Sequence, residues 1–174
     1  FRGGSPLAIA QDGYRSLLSL MDDVRRTEPD IKLPIAEMPP RSICVGVEFV
    51  EFTANEQDAN DLATLLMALG FSHAGQHVSK QVAHWRQGDI NILINTEESG
   101  FAYSAYQLHG TSVCDLALRV ENAAETVARA KKLGAEVVQT PAGDDELSIP
   151  AIKGVGGGMV RFIDNHSALA SLWD

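Results

Sequence analysis

The sequence predicts an α+β fold in which two β-α-β-β-β units form one curved, eight-stranded sheet with helices on its outer side. Three landmarks recur in the same order at nearly constant spacing: Phe49-Val-Glu-Phe52 lies 66 residues before Asp115-Leu-Ala-Leu118, Leu69-Gly70 lies 64 before Leu133-Gly134, and Ile90 lies 69 before Met159. Self-similarity at one period indicates a duplicated unit. We place the duplicated domain at residues 42–165, with units at about 42–95 and 112–164.

The first unit opens with a strand at residues 43–53, in which alternation places Val45, Val47 and Phe49 on one face. A helix follows at residues 58–69, where four leucines recur at helical spacing and a glycine ends the run. Three short strand-like runs then predict the remaining strands, at residues 71–78, 82–87 and 90–95.

Residues 96–110 link the two units and are predicted to carry a short helix. The second unit begins with a strand at residues 112–120. Asn122 can cap the next helix, with Glu125 three residues on as its capping-box partner. The remaining strands are predicted at residues 136–139, 146–152 and 159–164, connected by turns at residues 142–145 and 154–158.

The flanking segments differ from this domain. Residues 1–26 contain apolar side chains at helical spacing, and residues 27–41 form a linker with four prolines, which prevent a helix or a central strand. Residues 166–174 are predicted to be an exit segment. Because the chain begins at Phe1 without a methionine and ends abruptly, we expect it to be a piece of a longer protein.

Composition excludes several function classes. The net charge of −9 and the pI near 4.9 argue against a nucleic-acid surface, which needs clustered lysine and arginine. No apolar run approaches the roughly 20 residues of a membrane span, and no secretion signal is recognisable. The two cysteines, Cys44 and Cys114, are predicted to be buried free thiols, so we expect a cytoplasmic protein.

Six motifs together give this chain a strong resemblance to the amino-terminal half of bacterial 4-hydroxyphenylpyruvate dioxygenases, members of the vicinal-oxygen-chelate (glyoxalase/bleomycin-resistance) superfamily. They are Gly46-Val-Glu-Phe-Val-Glu-Phe52, His77-Val-Ser-Lys80, Trp85-Arg-Gln-Gly-Asp-Ile-Asn91, Leu93-Ile-Asn95-Thr-Glu97, His109-Gly-Thr-Ser-Val-Cys114 and Leu147-Ser-Ile-Pro-Ala-Ile-Lys-Gly154. The resemblance covers residues 46–165. It implies an Fe(II)-dependent oxidoreductase of aromatic catabolism, in which the keto acid is decarboxylated and the ring hydroxylated to homogentisate.

A second resemblance concerns the first 26 residues. Phe1-Arg-Gly-Gly-Ser-Pro6 and Asp12-Gly-Tyr-Arg-Ser-Leu17 are similar to the end of a sugar-phosphate-isomerase-like TIM barrel, and more narrowly to 3-dehydroshikimate dehydratases fused to a dioxygenase-like half. The implied order is barrel tail, linker and first dioxygenase-like module. The neighbours of this chain would then be the barrel before it and a second dioxygenase-like module after it, in a homo-oligomeric enzyme.

The resemblance also identifies positions where the superfamily carries metal ligands, on the first and last strands of each unit. These positions hold Phe49, Asn95, Asp115 and Asp164. A non-haem Fe(II) site needs two imidazoles and a carboxylate, and no histidine occurs among them. We therefore expect no catalytic, cofactor-binding or metal-binding residue in the dioxygenase-like part, with the iron held by the following module and Mg²⁺ or a similar ion by the barrel.

Arg2 is the single candidate for the barrel's active site, because strand ends of such barrels face that site. Three functions remain open at this level. The first is a non-catalytic module that braces the catalytic module of a larger enzyme. The second is a stand-alone glyoxalase-type domain that binds a small molecule as a dimer. The third is an enzyme with iron at an unrecognised site.

Overall fold

A computed structural model describes residues 14, 17, 20, 21, 23, 24, 26–30, 39–138 and 147–173. Contacts divide the chain into two units, Phe1–Met38 and Pro39–Asp174. In the first, the described positions from 14 to 27 are helical, as the periodicity predicts. Arg2 and the turn predicted at residues 142–145 lie outside the described residues. Nowhere in the described part of the chain is a helix long and apolar enough to cross a membrane.

The second unit contains one eight-stranded mixed sheet in the order β2-β3-β4-β1-β5-β8-β7-β6. The order is symmetric about the β1–β5 pair, which is antiparallel. Each β-α-β-β-β unit pairs its first strand with its fourth in parallel. The predicted duplication is therefore visible in the topology. The strands are β1 (Cys44–Thr53), β2 (Ser72–Gln76), β3 (Val82–Gln87), β4 (Ile90–Asn95), β5 (Ser112–Val120), β6 (Val137–Val138), β7 (Ala151–Lys153) and β8 (Met159–Ile163).

Three helices accompany the sheet: α1 (Glu56–Ala68), α2 (Gly100–His109) and α3 (Ala123–Lys132). The side chains of Asn55 and Asn122 accept hydrogen bonds from Asp58 N and Glu125 N, which satisfies free N–H groups at the starts of α1 and α3. The cap at Asn122 confirms that part of the prediction, whereas no bond from the Glu125 side chain back to Asn122 N, which a capping box requires, occurs among the described contacts. Helix α1 starts two residues before the predicted position, because Asn55 caps it and was not recognised.

The predicted faces of the first strand are wrong for Val45 and Val47. Both are more than half exposed, whereas Phe49 is only 3% exposed. The pairing of β1 with β5 shifts register between Cys44 and Gly46, between Val47 and Phe49, and again before Phe52. Each such irregularity breaks simple alternation, because an extra residue turns the following side chains to the other face.

Several strands are shorter than predicted. Strand β2 ends at Gln76, and β7 begins at Ala151, since Pro150 has no N–H to donate to the ladder. The carbonyl of Pro150 still accepts a hydrogen bond from Phe162 N at 2.9 Å. The predicted start of this strand at residue 146 lies outside the described residues.

Among the described residues, apolar side chains form two clusters, one in each β-α-β-β-β unit. The first cluster packs Leu66 of α1 against Ala54, Trp85 and Ile94. The second cluster combines Phe49 of the first unit with residues of the second, and the segment predicted to be an exit contributes to it: Ala117, Val120, Ala123, Phe162, Ile163 and Leu169. A short 3₁₀ helix at Ala168–Ser171 positions this last part of the chain on the sheet.

The cysteines are free, but only one is buried. Cys114 is 2% exposed, whereas Cys44 lies exposed at the beginning of β1. The prediction that both thiols are buried is therefore wrong for Cys44. Cys44 opens the strand in the same exposed stretch as Val45 and Val47, upstream of the point where β1 enters the core.

Candidate functional site on the concave face

A cavity of about 520 Å³ lies on the concave face of the sheet, and we call it the concave cavity. Its volume is in the range of small-molecule sites. Apolar side chains line much of its wall, including Phe49, Leu93, Leu147, Ile149, Leu172 and Trp173. Polar side chains also line it, among them Glu51, His84, Asn95, Glu97, Asp115 and Arg161.

Asn95 connects β1 and β4 within the cavity wall. Its Nδ2 donates to Glu51 Oε1 at 2.8 Å, and its Oδ1 accepts from Glu97 N at 2.9 Å. The thiol of Cys114 points toward the same carboxylate, with Sγ 3.8 Å from Glu51 Oε1. Burial raises the pKa of Cys114, and the charges of Glu51 and Asp115 add to the effect. The thiol is therefore protonated and inert.

Asp115 and Arg161 form an ion pair across β5 and β8. Arg161 Nε donates to Asp115 Oδ2, and both side chains are largely withdrawn from solvent. Burial raises the pKa of Asp115 to about 6, with Glu51 adding to the effect and Arg161 opposing it. The other oxygen, Asp115 Oδ1, is buried without a hydrogen-bond partner among the described residues.

A second polar cluster surrounds Glu48. This carboxylate accepts from Arg119 Nε at 2.5 Å and from Trp173 Nε1 at 2.8 Å. The hydrogen bond to Glu48 raises the pKa of Arg119. His84 stacks on Trp173 with ring centroids 4.2 Å apart, and His84 Nε2 lies 2.9 Å from Asn91 Oδ1. Burial lowers the pKa of His84, which favours the neutral ring.

The structure brings three of the four predicted ligand positions together. Phe49, Asn95 and Asp115 all line the concave cavity. Asp164 follows β8 and is directed elsewhere: Oδ2 accepts from Ala123 N at 2.8 Å, and Oδ1 accepts from His166 N and Ser167 N. These bonds lower the pKa of Asp164 to about 2. Asp164 thus holds the start of α3 and the following turn.

These side chains do not fit Fe(II). Phe49 offers no donor atom, the amide of Asn95 is engaged by Glu51 and Glu97, and Asp115 is paired with Arg161. Within the described ranges, no group of three or more His, Cys, Asp or Glu side chains could hold a metal ion.

Sequence reasoning missed Arg161, His84 and Trp173 as parts of this site. Arg161 carried a usable signal, since it is the one charged residue within the apolar strand β8. A charge in such a strand requires a partner or a ligand. The last residues, 166–174, were predicted to be an exit segment. Trp173 reaches the cavity only because the chain turns back onto the sheet after β8.

Paired βαβββ units, with a concave cavity lined by the first strands of both, define a protein of the vicinal-oxygen-chelate class. Residues 40–174 match the family model described as the amino-terminal domain of hydroxyphenylpyruvate dioxygenase. The chain belongs to this family. The matched region begins at Pro40, at the start of the contact-defined part Pro39–Asp174.

Two curated relatives from Pseudomonas aeruginosa show how the match is distributed. A 3-dehydroshikimate dehydratase is 36% identical over 179 aligned residues, covering 100% of this chain and 28% of the relative. A 4-hydroxyphenylpyruvate dioxygenase is 38% identical over 122 residues, covering 70% of this chain and 34% of the relative. The chain therefore spans about a third or less of the length of these relatives.

Solved structures agree with this assignment. A xylose isomerase-like TIM barrel/4-hydroxyphenylpyruvate dioxygenase fusion protein superposes with a TM-score of 0.73 at 34% identity, covering 99% of this chain and 28% of that chain. The methylmalonyl-CoA epimerase of Mycobacterium tuberculosis gives a TM-score of 0.58 at 18% identity, covering 78% of this chain and 97% of that chain. The second similarity concerns the fold alone.

Proposed function

We propose that this chain is the amino-terminal module of a 4-hydroxyphenylpyruvate dioxygenase-like region within a larger polypeptide that also carries a 3-dehydroshikimate dehydratase of TIM-barrel type. The observation that carries the proposal is the alignment of the dehydratase over the whole chain, including the residues before 40 that the family model leaves unmatched. The fusion structure, matched over 99% of this chain, supports the same arrangement.

Within that polypeptide the module is a structural partner rather than a catalyst. Its ligand positions do not fit Fe(II), so the iron belongs to the following dioxygenase-like module, and a divalent ion such as Mg²⁺ belongs to the barrel. Arg2 remains the candidate contribution to the barrel's active site. The complete enzyme acts in the cytoplasm as a homo-oligomer and works on aromatic or quinate- and shikimate-derived compounds.

An exposed apolar stripe supports the bracing role. Ile43, Val45 and Val47 are 51%, 61% and 51% exposed at the start of β1. Large apolar side chains exposed side by side mark contact surfaces in native proteins. The following module covers this stripe in the intact enzyme. A stand-alone binding domain is the less favoured function, since relatives that align over the whole chain are several times longer.

The test is the mass of the natural polypeptide. An antibody raised against residues 39–174 should detect, in extracts of the native cell, one species several times heavier than 18.7 kDa. The immunopurified species should dehydrate 3-dehydroshikimate and consume oxygen with 4-hydroxyphenylpyruvate. A species near 18.7 kDa would overturn the fusion. A heavy species without oxygen uptake would restrict the proposal to its dehydratase part.

A further inference from the structure

The concave cavity contains an incomplete set of polar contacts. Asp115 is 2% exposed and uses Oδ2 for Arg161, while Oδ1 has no donor among the described residues. Buried acceptors in native proteins are nearly always paired. A molecule bound against the Asp115–Arg161 pair would supply the missing donor.

Arg161 has unused donors at the same place. Its Nε binds Asp115, but neither η nitrogen has an acceptor among the residues that the structure describes. The side chain is 16% exposed and lines the cavity. A guanidinium group held in this way presents two N–H groups in the geometry that suits a carboxylate. The pair therefore offers a donor pair and an acceptor side by side.

Glu51 extends the acceptor surface. Its Oε1 is occupied by Asn95 and faced by the Cys114 thiol, while Oε2 has no partner within the described ranges. Glu51 lines the cavity next to Asp115, and the two residues are paired across β1 and β5. A ligand hydroxyl can donate to either carboxylate. A metal ion is a poor occupant, since no three-ligand group exists among the described side chains.

Another part of the cavity wall is aromatic and held in place. Trp173 stacks on His84, packs edge-on against Phe49 with centroids 6.0 Å apart, and donates from Nε1 to Glu48. These contacts fix the indole on both sides. Leu147 and Ile149 extend the apolar surface. A ring can pack against these side chains in the same cavity that the Asp115–Arg161 pair lines.

We propose that the concave cavity binds a small organic acid that carries a hydroxyl group on a ring. Its carboxylate pairs with the η nitrogens of Arg161, its hydroxyl donates to Asp115 Oδ1 or Glu51 Oε2, and its ring lies against Phe49 and Trp173. This binding site goes beyond the bracing role. Failure to bind would leave the mass of the natural polypeptide, and hence the proposed function, unaffected.

The two tryptophans permit a direct test on the 174-residue chain. Trp173 lines the cavity, whereas Trp85 packs in the cluster beneath α1. The probes are 4-hydroxybenzoate, benzoate, which lacks the hydroxyl, and phenol, which lacks the carboxylate. We expect 4-hydroxybenzoate to quench tryptophan fluorescence saturably and to bind about tenfold more tightly than either analogue, the difference expected for one lost polar contact.

Single substitutions identify which tryptophan is quenched and which side chains contact the probe. Trp85→Phe should leave the quenching intact, and Trp173→Phe should remove it while calorimetry still detects binding. Arg161→Gln should remove the difference in affinity between 4-hydroxybenzoate and phenol. Glu51→Gln should reduce the difference in affinity between 4-hydroxybenzoate and benzoate. Circular dichroism verifies that each variant is folded, and if Arg161→Gln unfolds, the three-probe comparison on the unaltered chain decides. Equal affinity for all three probes, no saturable quenching by any, or quenching that follows Trp85 would overturn the proposal.

Discussion

Asp115 and Asp164 are both nearly fully buried carboxylates, yet their surroundings shift their pKa values in opposite directions. Burial dominates at Asp115 and raises its pKa to about 6 despite Arg161. Backbone N–H groups dominate at Asp164 and lower its pKa to about 2. The first carboxylate lines a cavity and has one oxygen without a donor among the described residues, while the second uses both oxygens to hold the backbone.

The first prediction concerns Asp164. Because its folded-state pKa lies below the ordinary value of 3.8, ionised Asp164 stabilises the fold above about pH 4, and this contribution is lost as the pH falls through about 2. Asp164→Asn should lower the free energy of unfolding by about 1–3 kcal/mol at pH 7. Urea denaturation should show the difference shrinking as the pH approaches about 3.

Glu121→Gln is the matched control for this variant, because Glu121 is an exposed carboxylate beside the same helix start. Its effect should stay within about 0.5 kcal/mol, as for most surface substitutions. If the loss of unfolding free energy in Asp164→Asn does not change with pH, the shape of the side chain matters there rather than its charge.

At the scale of the element, the two glycines that end α1 and α3 show the duplication in backbone geometry. Gly70 and Gly134 have φ angles of 93° and 92°. Side chains are strained in this left-handed region, so both positions favour glycine. They differ in surroundings: a Cβ on Gly70 would lie 2.7 Å from Gln87 Nε2, whereas a Cβ on Gly134 would meet nothing within 4 Å.

The second prediction follows from this difference. Gly134→Ala should cost about 1–2 kcal/mol of unfolding free energy from backbone strain alone. Gly70→Ala should cost about 0.5–1.5 kcal/mol more, because the displaced Gln87 loses its hydrogen bond to Leu69 O at 3.1 Å. Thermal or urea unfolding of both variants measures the two effects.

Gly46→Ala serves as the reference for these substitutions. Its φ is not in the left-handed region, and a Cβ there would meet nothing within 4 Å. We expect a change within about 0.5 kcal/mol. If all three variants were equally stable, the left-handed geometry at the helix ends would not be a constraint on this chain.

At the scale of the whole molecule, the two units depend on each other through the centre of the sheet. Strands β1 and β5 pair antiparallel from Cys44 opposite Val120 to Thr53 opposite Ser112. Phe49, from the first unit, packs in the cluster of the second. Separation would expose two long strand edges and remove a large side chain from one core.

The third prediction is that residues 39–110 and 111–174, produced as separate fragments, do not unfold cooperatively alone but do so when mixed. Each fragment lacks the partner for its central strand, so mixing should restore the β1–β5 pair. Denaturation followed by circular dichroism provides the measurement, with the intact chain as reference. Cooperative unfolding of either fragment in isolation would show that one unit is sufficient for folding.

The fold could be predicted from the sequence because its signals are local and repeated. Strands β3 and β4 were predicted at their observed bounds, since each is a short strand-like run on one side of the turn at Gly88. Glycines mark the ends of α1 and α3, and the cap at Asn122 marks the start of α3, whereas the cap at Asn55 was missed. The errors at Val45 and Val47 arise from bulges, which depend on how β1 meets β5 rather than on any local pattern.

The site was predictable only in part. The four ligand positions came from alignment of strands, and three of them do line the concave cavity. The different roles of Asp115 and Asp164 could not be predicted. The role of Asp115 follows from the neighbouring Arg161, and the role of Asp164 follows from its contact with the start of α3. Trp173 lies 125 residues from its partner Glu48, and no periodicity connects such positions.

By itself, then, the sequence determined the duplicated architecture, the glycine ends of α1 and α3 and the family, because periodicity, glycine stops and motifs are read along the chain. Tertiary structure alone decided which polar groups meet in the concave cavity. Packing across β1, β5 and β8 sets those contacts, and it withdraws Asp115 from water while one of its oxygens has no donor among the residues that the structure describes.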